Sequence, residues 1–275
     1  MIRRIVAATL LSFAAAACAQ TGAYKPEVGQ AGKDVVWVPT PNELVERMLN
    51  MAKVTKDDYV IDLGSGDGRI AIAAGKRGAT ARGIEYNPNM VELSNANAKA
   101  AGVSDKVEFI KADIFQYDFG KATVITMYLL PHLNLQLRPK ILDMKPGTRV
   151  TSHAFTMDEW QPDERATIEF RDAYLWIVPA KVNGKWRMSQ ASGSGAETIE
   201  LDFLQKFQFV EGKARIGGRT VDILDGKLNG DRISFSLVDG NGAKRAYTGR
   251  VSGNSIEGTV PTQSGTPASW KATRG

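Results

Sequence analysis

The stretch Val60-Ile61-Asp62-Leu63-Gly64-Ser65-Gly66-Asp67-Gly68-Arg69-Ile70 decides how this chain is read. An apolar strand carrying one acidic residue runs into Gly-x-Gly-x-Gly and then into a helical pattern. Glycines suit a strand-to-helix turn against which a ligand lies, because they take positive φ and put no Cβ in the way. A dinucleotide loop needs Gly-x-Gly-x-x-Gly to seat a pyrophosphate, and Arg69 stands where the third glycine of that pattern belongs. Asp62 and Asp67 place negative charge beside the turn, which opposes a pyrophosphate and suits a ligand bearing cationic groups.

Working outward, Arg82-Gly83-Ile84-Glu85 reads as a second strand that ends in an acid. Glu85 falls roughly 20 residues past the loop, where a carboxylate can accept from two ribose hydroxyls. Val107-Glu108-Phe109-Ile110 reads as a third strand, followed by Lys111-Ala112-Asp113-Ile114. On these residues the segment resembles motif I and its successors in class I S-adenosylmethionine (SAM)-dependent methyltransferases, whose ligand carries an ammonium and a sulfonium. The resemblance implies a SAM site formed by Asp62, Gly64, Ser65, Gly66, Asp67, Gly68, Glu85 and Asp113, with Asp113 meeting the adenine amino group and S-adenosylhomocysteine as product.

The flanking pattern predicts alternating helices and strands. Thr40 and Pro41 open a helix whose apolar stripe includes Leu44, Val45, Met48 and Leu49. Asn87-Pro88 opens another that stops before Gly102. Ala122 to Met127 reads as a fourth strand, Leu133 to Met144 as a helix interrupted or kinked near Pro139, and Arg149 to His153 as a fifth strand. The expected fold class is α/β, a Rossmann-like class I methyltransferase sheet with helices on both faces.

After about residue 175 the composition shifts to short strands and turns. Asn183-Gly184, between Tyr174 to Val178 and Lys185 to Met188, signals a hairpin. Further turns are expected at Glu211-Gly212, Asp225-Gly226, Asn229-Gly230, Asp239-Gly240-Asn241-Gly242 and Gly253-Asn254. This predicts a C-terminal antiparallel β-meander or small barrel. Gly184-Lys185-Trp186 near its start and Arg274 near its end are similar to the lipocalin arrangement, in which an arginine covers a core tryptophan.

Met1-Ile2-Arg3-Arg4 followed by an uncharged, Ala- and Leu-rich run to Ala17 reads as a secretory signal peptide. Ala17-Cys18-Ala19 fits ordinary signal peptidase, and Ala15-Ala16-Ala17-Cys18 is a looser lipobox that would lipidate Cys18. Exported, periplasmic or secreted protein is the expectation, with a membrane anchor only if Cys18 is lipidated. The expected organisation is residues 1–19 signal peptide, 20–37 polar leader, 38–180 methyltransferase domain and 181–275 β-rich domain. Cys18 is the one cysteine of the chain, so the body after the signal peptide can form no internal disulfide and no Cys-based metal site. With two histidines besides, a metal site is disfavoured. Without Arg3 and Arg4, the 35 basic residues fall by two against 30 acidic ones. So mild an excess, with no consecutive basic block, argues against a nucleic-acid partner.

Methyl transfer is an in-line displacement, so alignment matters more than acid–base machinery. The resemblance places the acceptor side just past the fourth strand, at Tyr128-Leu129-Leu130-Pro131-His132. The Asn/Asp-Pro-Pro-Tyr motif of DNA- and glutamine-methylating enzymes is missing there. Tyr128 is a candidate for orienting an amine and His132 for taking a proton, while packing is the competing role for each. His153 at the end of the fifth strand is a further candidate. The Val38 to Ile70 block and Tyr128-Leu129-Leu130-Pro131 resemble small lysine-methylating enzymes, so a protein lysine is the favoured acceptor, one that requires a desolvating aromatic channel. The alternative is an exported protein that binds a SAM-type ligand or senses it without turnover, because a periplasm makes no SAM.

Overall fold

The computed structural model describes residues 24–192, 195–238, 242–262 and 265–275. The segment expected to be a signal peptide, with Cys18, and the first three residues of the Asp239 to Gly242 stretch expected as a turn lie outside the described residues.

Five parallel strands build the first sheet: β1 (Tyr59–Leu63), β2 (Thr80–Glu85), β3 (Val107–Lys111), β4 (Val124–Met127) and β5 (Arg149–His153). The antiparallel pair β6 (Glu164–Ile168) and β7 (Arg171–Ile177) extends it, giving the order β3-β2-β1-β4-β5-β7-β6. Strand order reverses between β1 and β4, so a crevice opens at their carboxyl ends. Both strands are buried almost throughout, which is why they read as apolar runs and not as alternating ones.

Helices α1 (Asn42–Met51), α2 (Arg69–Lys76) and α3 (Pro88–Ala100) cover one face through Leu44, Met48, Ala71, Ala74 and Ala98. Helix α4 (Pro131–Leu142) covers the other, with Leu133, Leu137 and Ile141 packed on Ile125, Trp160 and Trp176. Asn87 caps α3 by accepting from the amide of Asn89, with Pro88 at the first helical position. Pro139 does not interrupt α4, which continues to Leu142.

The second sheet is a closed barrel. Strands β8 (Gly184–Ser192), β9 (Gly195–Lys206), β10 (Phe209–Ile216), β12 (Leu224–Asn229), β13 (Arg232–Val238), β14 (Lys244–Ser252), β15 (Ser255–Val260) and β16 (Ala268–Arg274) pair antiparallel around a ring that β9 and β10 close. Strand β11 (Arg219–Asp222) adds a short flap on β10. Trp186, Phe203, Phe235, Tyr247 and Trp270 fill the interior. The guanidinium of Arg274 sits 4.6 Å from the Trp186 ring centre and donates to the carbonyls of Lys181 and Asn183.

Three turn expectations are corrected. Asn183-Gly184 does not join a hairpin: β7 stays in the first sheet, and Gly184 starts the barrel. Glu211-Gly212 lies inside β10, where a Cβ on Gly212 would stand 1.9 Å from the carbonyl oxygen of Asp202. Close strand approach, not chain reversal, calls for that glycine. Asp225-Gly226 forms a register shift in β12, a bulge that bends the barrel wall. Asn229-Gly230 and Gly253-Asn254 fall at strand junctions.

Candidate active site

A cavity of about 340 Å³ opens at the carboxyl ends of β1, β2 and β4. Asp62, Gly64, Ser65, Gly66, Asp67, Glu85, Asp113 and Tyr128 all line it. Gly68 stands just behind, as the N-cap of α2 in a left-handed conformation with φ 84°. His132 is not among the lining residues and is exposed on the first turn of α4.

The glycine loop is wired before any ligand is considered. Glu85 accepts from the amide of Gly66 at 2.9 Å through Oε2 and from the amide of Asn87 at 2.9 Å through Oε1. Arg69 donates to both oxygens of Asp67 and, through Nη1, to the carbonyl of Thr40 at 2.9 Å. The residue that breaks the dinucleotide spacing therefore ties the loop to the segment before α1. Asp62 is 2 % exposed and accepts from the Thr126 hydroxyl at 2.6 Å. Burial pushes its carboxyl up to about 7; the Thr126 bond opposes this, and the nearby Asp67 and Glu85 charges add to it. The buried hydroxyl of Ser65 has no partner among the described residues.

The leader forms the outer wall. Residues 30–40 line the cavity as a small hairpin, with the amide of Gly29 donating to the carbonyl of Trp37 and the amide of Trp37 to the carbonyl of Gln30. Its tip brings Lys33 to Asp113 at 2.8 Å and to 4.9 Å from the Tyr86 ring centre. The Lys33 bond, then an amide donated by Phe115, hold the Asp113 carboxyl below its usual range. Trp37 packs over the glycine loop, its indole nitrogen 2.7 Å from where a Cβ on Gly66 would be.

The acceptor side is aromatic. Tyr128 and Phe155 line the cavity with ring centres 6.1 Å apart, and His153 lies 3.8 Å behind Tyr128. Phe155 follows Ala154, whose φ of 62° is unusual for a non-glycine residue. The Ser152 hydroxyl and the Asn134 amide hold this loop by donating to the Phe155 carbonyl. Burial, and next the Arg171 charge, lower His153 to about 4, so it is neutral at physiological pH and bonded through Nδ1 to the Thr40 hydroxyl at 3.1 Å. Burial also raises the Tyr128 phenol, whose hydroxyl has no hydrogen-bond partner among the described residues.

Trp37, Thr40, Phe155 and Lys33 were missed by sequence reasoning. The aromatic residue two places past the fifth strand is the one signal that could have pointed to Phe155; nothing local marks the leader as part of the site.

A family model described as the ANTKMT methyltransferase domain matches residues 62–164. The chain is 44% identical over 151 residues to a protein-lysine N-methyltransferase of Saccharolobus islandicus, covering 52% of this chain and 94% of that protein. It is 32% identical over 130 residues to the adenine nucleotide translocase lysine N-methyltransferase of Mus musculus, covering 46% of this chain and 56% of the mouse protein. A solved structure described as an RNA methyltransferase from Salinibacter ruber in complex with S-adenosylhomocysteine shares 47% identity, with a TM-score of 0.52 over 53% of this chain and 96% of that one. The chain thus spans nearly all of the Saccharolobus islandicus relative and about half of the mouse one. It belongs to the class I SAM-dependent methyltransferases, in the group related to protein-lysine methyltransferases.

Proposed function

We propose that the protein methylates the ε-amino group of a lysine in a protein acceptor, using SAM held by the residues from Asp62 to Asp113. The cavity suits that ligand: it is large enough for a nucleoside-sized molecule, has carboxylates at Asp62, Glu85 and Asp113, and leaves the Ser65 hydroxyl without a partner among the described residues. Glu85 would take the ribose hydroxyls, Asp113 the adenine amino group, and Asp62 with the glycine-loop amides the amino-acid end. Bound there, SAM would supply an electrophilic methyl on sulfur, which a neutral amine would take through its lone pair while the C–S electrons stay on sulfur, leaving a methylammonium product.

The carrying observation is the acceptor wall of Tyr128 and Phe155 beside a neutral, buried His153. An aromatic channel strips water from a lysine stem and favours the neutral amine, which is the nucleophilic form. Tyr128 can accept an N–H from that amine and aim its lone pair. Electrostatics oppose an RNA acceptor. Asp34, Asp62, Asp67, Glu85 and Asp113 line the cavity against Lys33 and Arg69, and each of these cations is already paired with a carboxylate. A phosphate backbone would meet unbalanced negative charge.

The test incubates the protein with methyl-deuterated SAM and either a lysine-peptide library or total RNA, followed by mass spectrometry. Label on the lysine ε-nitrogen is expected. Label on RNA alone would overturn the reading, and SAM binding with no transfer to any acceptor would favour the sensor alternative.

A further inference from the structure

Ile168 pairs with Arg171, so β6 and β7 are joined by a two-residue turn, Glu169-Phe170. Both residues are left-handed, with φ 46° and 66°, in a position where Asn-Gly is the favoured pair. Phe170 is also fully exposed. A strained backbone that displays a bare phenyl ring gains nothing for the fold, and such an outlier points outward, to a partner.

The turn's position identifies which partner. Strand β7 runs antiparallel to β5, so the tip projects from the same sheet edge as the cavity. Arg171 is near enough for its charge to act on both Tyr128 and His153. Four other exposed apolar residues, Val36, Val38, Tyr86 and Leu130, line the cavity itself, so exposed apolar side chains stand at the cavity as well as at the tip. The acids inside are assigned to SAM and the aromatic wall to the lysine stem, which leaves the rim to the apolar neighbours of that lysine. Ala173 stands opposite His153, and Phe170 lies one turn residue beyond Arg171, the first residue of β7, so its backbone is on the order of 10 Å farther out. An extended acceptor covers the same span in about three residues.

We propose that the Glu169-Phe170 tip is the acceptor-docking arm and that Phe170 selects polypeptides with an apolar side chain about three residues from the target lysine. This rests on the lysine reading above.

Single-lysine peptides in a Gly/Ser background, with one leucine scanned through every position on either side, test it. The wild-type protein should show a peak about three residues from the lysine, with KM about tenfold below that of the leucine-free peptide. Phe170→Ser should lose the peak while keeping kcat on the leucine-free peptide and affinity for S-adenosylhomocysteine. A Glu169→Asn, Phe170→Gly double variant should raise Tm yet also lose the peak, which separates docking from folding. An unchanged peak in Phe170→Ser overturns the proposal. Methylation by the wild type without a positional peak overturns docking and leaves the lysine reading intact, whereas no methylation of any peptide overturns both. Loss of binding to phosphatidylglycerol vesicles with the peptide peak retained would make Phe170 a membrane contact and also overturn the proposal.

Discussion

The ammonium of Lys33 is held 2.8 Å from Oδ2 of Asp113, so a leader residue occupies the carboxylate assigned to the adenine amino group. Adenine must displace that ammonium to reach Asp113. Lys33→Met should tighten SAM binding by about two- to fivefold, a range set by the modest worth of exposed ion pairs. The gain should shrink in high salt. Calorimetry at two ionic strengths reads both; weaker binding in the variant would instead make Lys33 a ligand contact.

Asp62 and His153 give opposing pH dependences. Folded Asp62 keeps its proton up to about 7 while the unfolded chain releases it near the ordinary value of 3.8, so this residue lowers stability as pH rises across that window. Folded His153 stays neutral down to about 4 while the unfolded chain takes up a proton near 6.5, so stability falls as pH drops from 6.5 to 4. In the wild type these trends offset. Asp62→Asn should unmask the acid loss, and His153→Gln should unmask the opposite slope, each up to about 1.4 kcal/mol per pH unit in urea denaturation. SAM affinity should also rise as pH passes about 7 in the wild type and lose that dependence in Asp62→Asn.

Neighbouring glycines should fail differently. A Cβ on Gly68 would lie 2.5 Å from the Phe109 ring and 2.8 Å from the Ser94 Cβ, inside a packed layer. Gly68→Ala should therefore cost roughly 2–4 kcal/mol of stability, combining left-handed strain and overpacking. Gly66 is also left-handed, with φ 55°, but its Cβ would meet the Trp37 indole at the cavity wall and not a packed layer. Gly66→Ala should therefore lower Tm less than Gly68→Ala and weaken SAM binding more. Thermal melts and calorimetry on both variants separate the cases.

Tyr128 and His132 divide by position. Tyr128→Phe should lower kcat on a lysine peptide about 10- to 100-fold with little change in SAM affinity, because the ring stays and the orienting hydroxyl goes. His132→Ala should change neither, since the imidazole is exposed outside the cavity. A large loss in His132→Ala would restore it as a proton acceptor.

The barrel meets the first sheet through a small set of groups. Phe207 stacks 6.0 Å from Trp160, Gln208 donates to the carbonyl of Gln161, and the amide of Ala180 donates to the carbonyl of Gly230. Truncation after Ala180 should lower Tm by exposing Trp160, yet leave SAM affinity within about threefold, because none of the cavity-lining residues is in the barrel. Loss of SAM binding in a still folded truncation would give the barrel a direct role.

What could be read in the sequence was local. The acid–glycine loop, the interval to Glu85 and the acid after β3 are features of one βαβ progression, and all converge on one cavity. The Trp186–Arg274 pair was visible because each residue sits at a recognisable end of the barrel. The leader was not legible, since its contacts to Gly66, Asp113 and Met90 join residues far apart in sequence and no periodicity marks them. Phe155 was missed because its aim depends on Ala154 taking a left-handed φ and on Asn134 reaching over from α4. Gly212 and Gly226 misled because a glycine required for close strand approach looks the same in sequence as one required for a turn.

Whether this cavity is the SAM site is decided by a calorimetric titration of the protein lacking residues 1–19 with S-adenosylhomocysteine, beside its Glu85→Ala variant. Micromolar binding, on the order of −8 kcal/mol, is expected for the wild type and should be lost in the variant. No binding by the wild type, or equal binding by both proteins, would contradict the assignment.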